Sequence, residues 1–74
     1  MLAEKSKMNY TLKMLRAKYD LTQKQAGESV GVSGDVWHNW ERAKSFPDVI
    51  QLRKIEEAFD VTYDDIIFLN KNNG

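Results

Sequence analysis

The sequence predicts an all-α fold, a compact bundle of five short helices. Three observations carry this. Apolar residues recur at three- and four-residue spacing in several short segments. Most of those segments follow a Ser, Thr or Asp placed where it can cap a helix N-terminus. No stretch sustains the two-residue alternation of a half-buried strand, and the short connections leave no room for a sheet.

In chain order, Leu12, Leu15 and Tyr19 stripe a first helix over about 10–19. Asp20 stands where the chain must leave it, a place that tolerates left-handed backbone. Thr22 with Gln25 forms a capping box, and Ala26 and Val30 make the inner face of a short second helix that Gly31 ends. Ser33 caps a third helix over about 34–42, with Trp37 and Trp40 inward. Phe46-Pro47 breaks the chain. Asp48 with Gln51 repeats the capping box, and Leu52, Ile55 and Phe59 stripe a fourth helix, with Asp60 as its exit. Thr62 caps a fifth helix carrying Ile66, Ile67 and Leu69, with Asp64 and Asp65 in its first turn, where the helix dipole favours acids. Residues 1–9 read as a mobile N-terminal arm, in which Lys5 and Lys7 are either frayed or in contact with a polyanion, residues 10–69 as the folded domain, and 70–74 as a tail or linker stub.

Seventy-four residues make one domain with a modest core. There is no cysteine, so disulfides and thiolate metal sites are excluded, and the single His38 does not make a metal centre. No cofactor is expected. No segment resembles a signal peptide or a membrane span, which points to a cytoplasmic protein. Eleven Lys and Arg balance eleven Asp and Glu. Attraction to nucleic acid must therefore come from a local patch.

The segment 22–42, TQKQAGESVGVSGDVWHNWER, places a short helix, a glycine turn and a capped helix in succession. That is the layout of a helix-turn-helix, whose second helix fits the major groove of DNA. The runs Leu21-Thr22-Gln23, Gly31-Val32-Ser33 and Trp40-Glu41-Arg42 closely resemble the lambda-repressor-like, Cro-type helix-turn-helix family. Leu12 to Arg16, Phe46-Pro47-Asp48, Phe59-Asp60-Val61 and Asp64-Asp65-Ile66-Ile67 extend the resemblance over roughly residues 10–69. It implies a phage-type transcription regulator that binds double-stranded operator DNA. Thr22 and Gln23 would hold a phosphate at a helix N-terminus while Gln23 braces the recognition helix. Ser33, Gly34, Asp35, His38 and Asn39 would face bases, and Asn39 can pair bidentately with adenine. Arg42 and Lys44 would touch the backbone of the DNA. Arg16 and Glu41 match a structural ion pair.

The sequence departs from the family pattern at several positions. Gly34 and Asp35 stand where side chains that read bases are common. Gly27 replaces Ala and is expected to loosen the second helix, with Trp37 filling the space it leaves. Ala43 stands where Gly is usual. Together with zero net charge, these departures motivate an alternative: a helix-turn-helix protein that binds a partner repressor and modulates a genetic switch, with Glu28 and Asp35 mimicking phosphate. His38 is a base contact, a pH switch, or an exposed residue without a role. The Trp pair at helical spacing is assigned to the core. The run Ile66-Ile67-Phe68-Leu69 cannot all point inward from one short helix. Ile67, Phe68 and Leu69 either form an interface, such as that of a weak homodimer, or fold back onto the first helix. An enzyme is not expected, because no phosphate loop, metal constellation or nucleophile–base pair is present and a bundle of this size offers little room for a pocket that would take a small-molecule substrate.

Overall fold

Four oxygen-bearing side chains set where the helices begin. In the computed structural model, which describes residues 9–68, Thr11 Oγ1 accepts from Met14 N at 3.1 Å and starts α1, Leu12–Lys18. Thr22 Oγ1 accepts from Gln25 N at 3.0 Å and starts α2, Gln23–Ser29. Ser33 Oγ accepts from Val36 N at 3.1 Å and starts α3, Gly34–Glu41. Asp48 Oδ1 accepts from Gln51 N at 2.8 Å and starts α4, Val49–Phe59. The capping boxes expected at Thr22/Gln25 and Asp48/Gln51 are both closed by the reciprocal glutamine bond, at 2.9 and 2.8 Å.

All four helices also end alike. A left-handed residue follows each, at Asp20 (φ 58°), Gly31 (φ 82°), Ala43 (φ 60°) and Asp60 (φ 55°). The next amide then reaches back five residues: Leu21 N to Arg16 O, Val32 N to Gly27 O, Lys44 N to Asn39 O and Val61 N to Glu56 O. This closure satisfies carbonyls that a helix end otherwise leaves without partners. At Ala43 it holds a buried L-residue in a conformation that costs about 1–2 kcal/mol.

The core is Leu12 and Leu15 of α1, Ala26 of α2 and the following Val30, Trp37 and Trp40 of α3, Ile55 and Phe59 of α4, and Ile66. Both tryptophans are buried as expected, Trp37 completely, and its ring lies 5.8 Å from Trp40 and 5.6 Å from Phe59. Tyr19 lies past the end of α1 with its ring edge on Phe59, and its hydroxyl donates to Phe59 O at 3.0 Å.

The expected fifth helix does not form. Tyr63–Asp65 makes a single 3-10 turn, with the Asp65 carboxylate accepting from Thr62 N and Oγ1 at 3.1 and 3.0 Å. The chain then extends. Ile66–Ile67 (β2) pairs in parallel with Tyr10–Thr11 (β1), Tyr10 opposite Ile66 and Thr11 opposite Ile67. The all-α expectation is thus corrected, among the described residues, to four α-helices plus a two-stranded parallel pair. The physical reason lies in the apolar run itself. β-Branched residues favour extended backbone, and alternation turns Ile66 inward (8% exposed) and Ile67 outward (42% exposed). Phe68 packs on the core with its ring near Phe46 and Tyr63. Leu69, the expected tail 70–74, and all of the expected arm but Asn9, with Lys5 and Lys7, lie outside the described residues.

Candidate nucleic-acid interface

The geometry of α2 and α3 is fixed first by backbone contact. A Cβ built on Gly27 would lie 2.6 Å from Ser33 O and 2.8 Å from Val32 O. Only glycine lets the turn approach α2 so closely. Gly27 is thus required by the turn, and the nearest atoms in the space beside it are these carbonyls, not Trp37. Gly34 makes a second close approach, since a Cβ there would lie 3.0 Å from Lys24 Cα. The start of α3 is seated against the first turn of α2.

The other end of α3 is fixed by Glu41. Its carboxylate accepts from Arg16 Nε at 2.6 Å and Arg16 Nη2 at 3.2 Å. It also accepts from Gln23 Nε2 at 3.1 Å and from the buried Trp37 Nε1 at 2.5 Å. Four donors fill the acceptor sites of one carboxylate. Burial would push the Glu41 carboxyl up, but the bonds from Arg16, Gln23 and Trp37 and the guanidinium charge outweigh it and hold it below the usual carboxylate range. Arg16 Nη1 donates to Leu21 O at 3.1 Å, which ties the exit of α1 to the same cluster. The ion pair expected between Arg16 and Glu41 is present. Sequence reading missed the Gln23 and Trp37 bonds to Glu41; the four-residue spacing of Trp37 and Glu41 on one helix was the available signal.

Gln23 links this buried cluster to the surface, since its Nε2 lies 3.1 Å from His38 Nδ1 as well. Of the residues expected to meet DNA, Thr22, Ser33, Asp35, Arg42 and Lys44 are exposed, while Gln23, Gly34, His38 and Asn39 are half-buried. Thr22 Oγ1 and Ser33 Oγ are occupied as helix caps. Gly34 faces α2 rather than presenting a reading group. The side chains of Asp35, Asn39, Arg42 and Lys44 have no hydrogen bond or ion pair among the described residues. A shallow concavity where α2 meets the start of α3 is lined by Lys24, Glu28, Ser33, Gly34 and Asp35. Its one cation faces two acids, whereas Arg42 and Lys44 make the far end of α3 basic. Lys24 was not singled out from sequence; its place beside Gln23 in the first turn of α2 was the signal. Among the described residues no group of His, Asp and Glu could hold a metal ion, and no helix is long and apolar enough to cross a membrane.

A glycine-packed helix pair, with the second helix anchored at both ends and its outward side chains free, defines a DNA-binding helix-turn-helix domain. The sequence profile of the helix-turn-helix family matches residues 12–66, and the chain belongs to that family in its Cro/C1-type form. It is 36% identical over 59 residues to the HTH-type transcriptional activator BcrR of Enterococcus faecalis, covering 80% of this chain and 29% of that protein. It is 30% identical over 66 residues to the uncharacterized HTH-type transcriptional regulator YgzD of Bacillus subtilis (strain 168), covering 89% of this chain and 100% of that protein. A 34-residue match at 53% identity to the type II methyltransferase M.MspI of Moraxella sp covers 46% of this chain and 8% of that enzyme. The match thus spans small fractions of two of these relatives and the whole of the third. The chain is thus a helix-turn-helix domain of the kind found in DNA-binding transcription regulators.

Proposed function

We propose that the chain regulates transcription as phage-type repressors do, by laying α3 in the major groove of an operator. The observation that carries this is the anchoring of α3. One end is packed backbone-to-backbone on α2, the other is held by three bonds from Arg16 and Gln23 to Glu41, and the side chains of Asn39, Arg42 and Lys44 have no partner among the described residues. Asn39 reads a base, and Arg42 and Lys44 neutralise phosphates. Ser33 and Asp35 lie at the groove edge, with Thr22 and the backbone N–H of Gln23 at the phosphate near the start of α2, since the Gln23 side-chain amide hydrogens are taken by Glu41 and His38. On this reading the protein acts in the bacterial cytoplasm, needs no cofactor and is not an enzyme. Exposed Phe46, Val49, Ile50, Tyr63 and Ile67, with Phe68, supply apolar surface for a weak homodimer.

The test is titration of generic duplex DNA by fluorescence anisotropy at low and at physiological salt. We expect binding that weakens steeply as salt rises, from counterion release. Arg42→Ala or Lys44→Ala then weakens binding to all sequences and lowers the salt slope by about one each, while Asn39→Ala relaxes preference at one base pair. A second reading, capture of a partner repressor, is favoured by the acids Glu28 and Asp35 in the α2–α3 concavity. Absence of DNA binding at low salt would favour it over the first.

A further inference from the structure

The Glu41 cluster also fixes the chemistry that α3 presents outward. A carboxylate oxygen accepts and cannot donate, and Glu41 is held in its ionised form. The Gln23 atom 3.1 Å from Glu41 Oε1 is therefore the amide NH2, which settles the orientation of that amide. The same NH2 has a second hydrogen, and His38 Nδ1 lies 3.1 Å away. A ring nitrogen that accepts cannot itself carry a proton. Neutral His38 then holds its hydrogen on Nε2. That nitrogen has no partner among the described residues, on a half-buried ring one position before Asn39.

We propose that Gln23, oriented by Glu41, fixes His38 as an Nε2–H donor, so that this turn of α3 selects a hydrogen-bond acceptor on duplex DNA. The acceptor is a purine N7, a guanine O6, a thymine O4 or a phosphate oxygen. The exocyclic amino groups of cytosine and adenine are donors and are rejected at this position. Asn39 presents both a donor and an acceptor, so the two neighbours read differently. The DNA half of this inference rests on the regulator reading above, whereas the ring state does not.

Long-range 1H–15N NMR of the free 74-residue chain, with the ring neutral, tests the first half. We expect a protonated Nε2, a bare Nδ1, and a coupling across the hydrogen bond from Gln23 Nε2 to His38 Nδ1. Gln23→Ala removes the donor to Nδ1, and the hydrogen is then expected to exchange between the two ring nitrogens. A protonated Nδ1 in the wild type, or an absent coupling, overturns the proposal without any variant needing to fold. The second half uses a preferred duplex carrying, one position at a time, 7-deazapurine for each purine, 2-aminopurine for each guanine (no O6), 5-methyl-2-pyrimidinone for each thymine (no O4), or methylphosphonate at each linkage. One substitution is expected to weaken the wild type about tenfold and leave His38→Ala unchanged. The three base series identify a purine N7, a guanine O6 or a thymine O4 as the acceptor, and the methylphosphonate series a phosphate. If every substitution weakens both proteins alike, His38 does not select an acceptor. Failure of both proteins to bind any duplex overturns the regulator reading and the DNA half together, and leaves the ring state to the NMR.

Discussion

Glu41 and Phe68 lie in regions that are held together by different means. Around Glu41, four donors converge on one carboxylate and two glycines bring backbone against backbone. Around Phe68, three aromatic rings meet at centroid distances of 6.1 and 6.2 Å, and a two-residue strand pair closes the domain. Directional bonds and hard contacts admit one arrangement. Ring edges on a half-exposed surface admit several of similar energy. The difference teaches that structural specificity is concentrated where α3 must be aimed, while the C-terminal segment retains apolar surface free to meet something else.

The largest expected effect follows from removing the convergent acceptor. Glu41→Ala leaves Arg16, Gln23 and the buried Trp37 N–H without it and should cost about 3 kcal/mol in urea denaturation. A domain of this size commands little more than that in total, so partial unfolding at 25 °C is expected. The same network sets an acid limb. Because the folded-state carboxyl is held low, its stabilisation is fully present above the unfolded carboxylate pKa of about 4.3 and is lost as pH falls through the lower folded value. Urea midpoints measured from pH 7 downward should fall in that window in the wild type. In Glu41→Gln the fall should be shallower.

Gly27→Ala comes next. Its Cβ would meet two backbone carbonyls that cannot rotate away, so a cost of about 1–3 kcal/mol is expected, with amide shifts along α3 in a 1H–15N spectrum. Gly34→Ala is the contrast. Its nearest atom lies at 3.0 Å, and alanine gains up to about 1 kcal/mol in helix propensity, so the net change should be small. Equal costs at the two positions would show that the turn, not the α2–α3 contact, sets the geometry. Phe68→Ala should be milder than a core truncation, about 1 kcal/mol against the 3–5 of a fully buried Phe. A loss as large as that of Glu41→Ala would break the comparison drawn above.

Much of this was legible in the sequence because it is local. A cap needs only Thr22 and Gln25, or Asp48 and Gln51, three residues apart, and the exits at Asp20 and Asp60 follow from what tolerates left-handed backbone. The Trp pair and the Arg16–Glu41 partnership were also readable, the first from period and the second from family resemblance. What escaped depends on contacts between distant segments. Two-residue strands have no period to detect, and Ile66 pairs with a residue at the opposite end of the domain. Gly27 reads as a weakness within its own helix, and only the carbonyls brought to it by the turn make it necessary. The Gln23–Glu41 bond spans 18 positions and links two groups whose types alone do not select each other.

The smallest effect tests the shared helix endings. Asp60 is exposed in left-handed backbone, where an L-residue is strained and glycine is not. Asp60→Gly should therefore stabilise the domain by about 0.5–1 kcal/mol, after allowing for the greater freedom of glycine in the unfolded chain. Ala43 has nearly the same φ but differs in one respect, since its methyl is buried. Relief of strain in Ala43→Gly is offset by about 0.8 kcal/mol of lost burial, and the net should lie near zero. Paired urea melts decide between these terms. A gain at Asp60 alone means that strain and burial balance at Ala43, which explains how alanine is accommodated at the end of α3. Equal gains would mean that the Ala43 methyl contributes nothing and that the end of α3 is held by its backbone bonds, Lys44 N to Asn39 O above all.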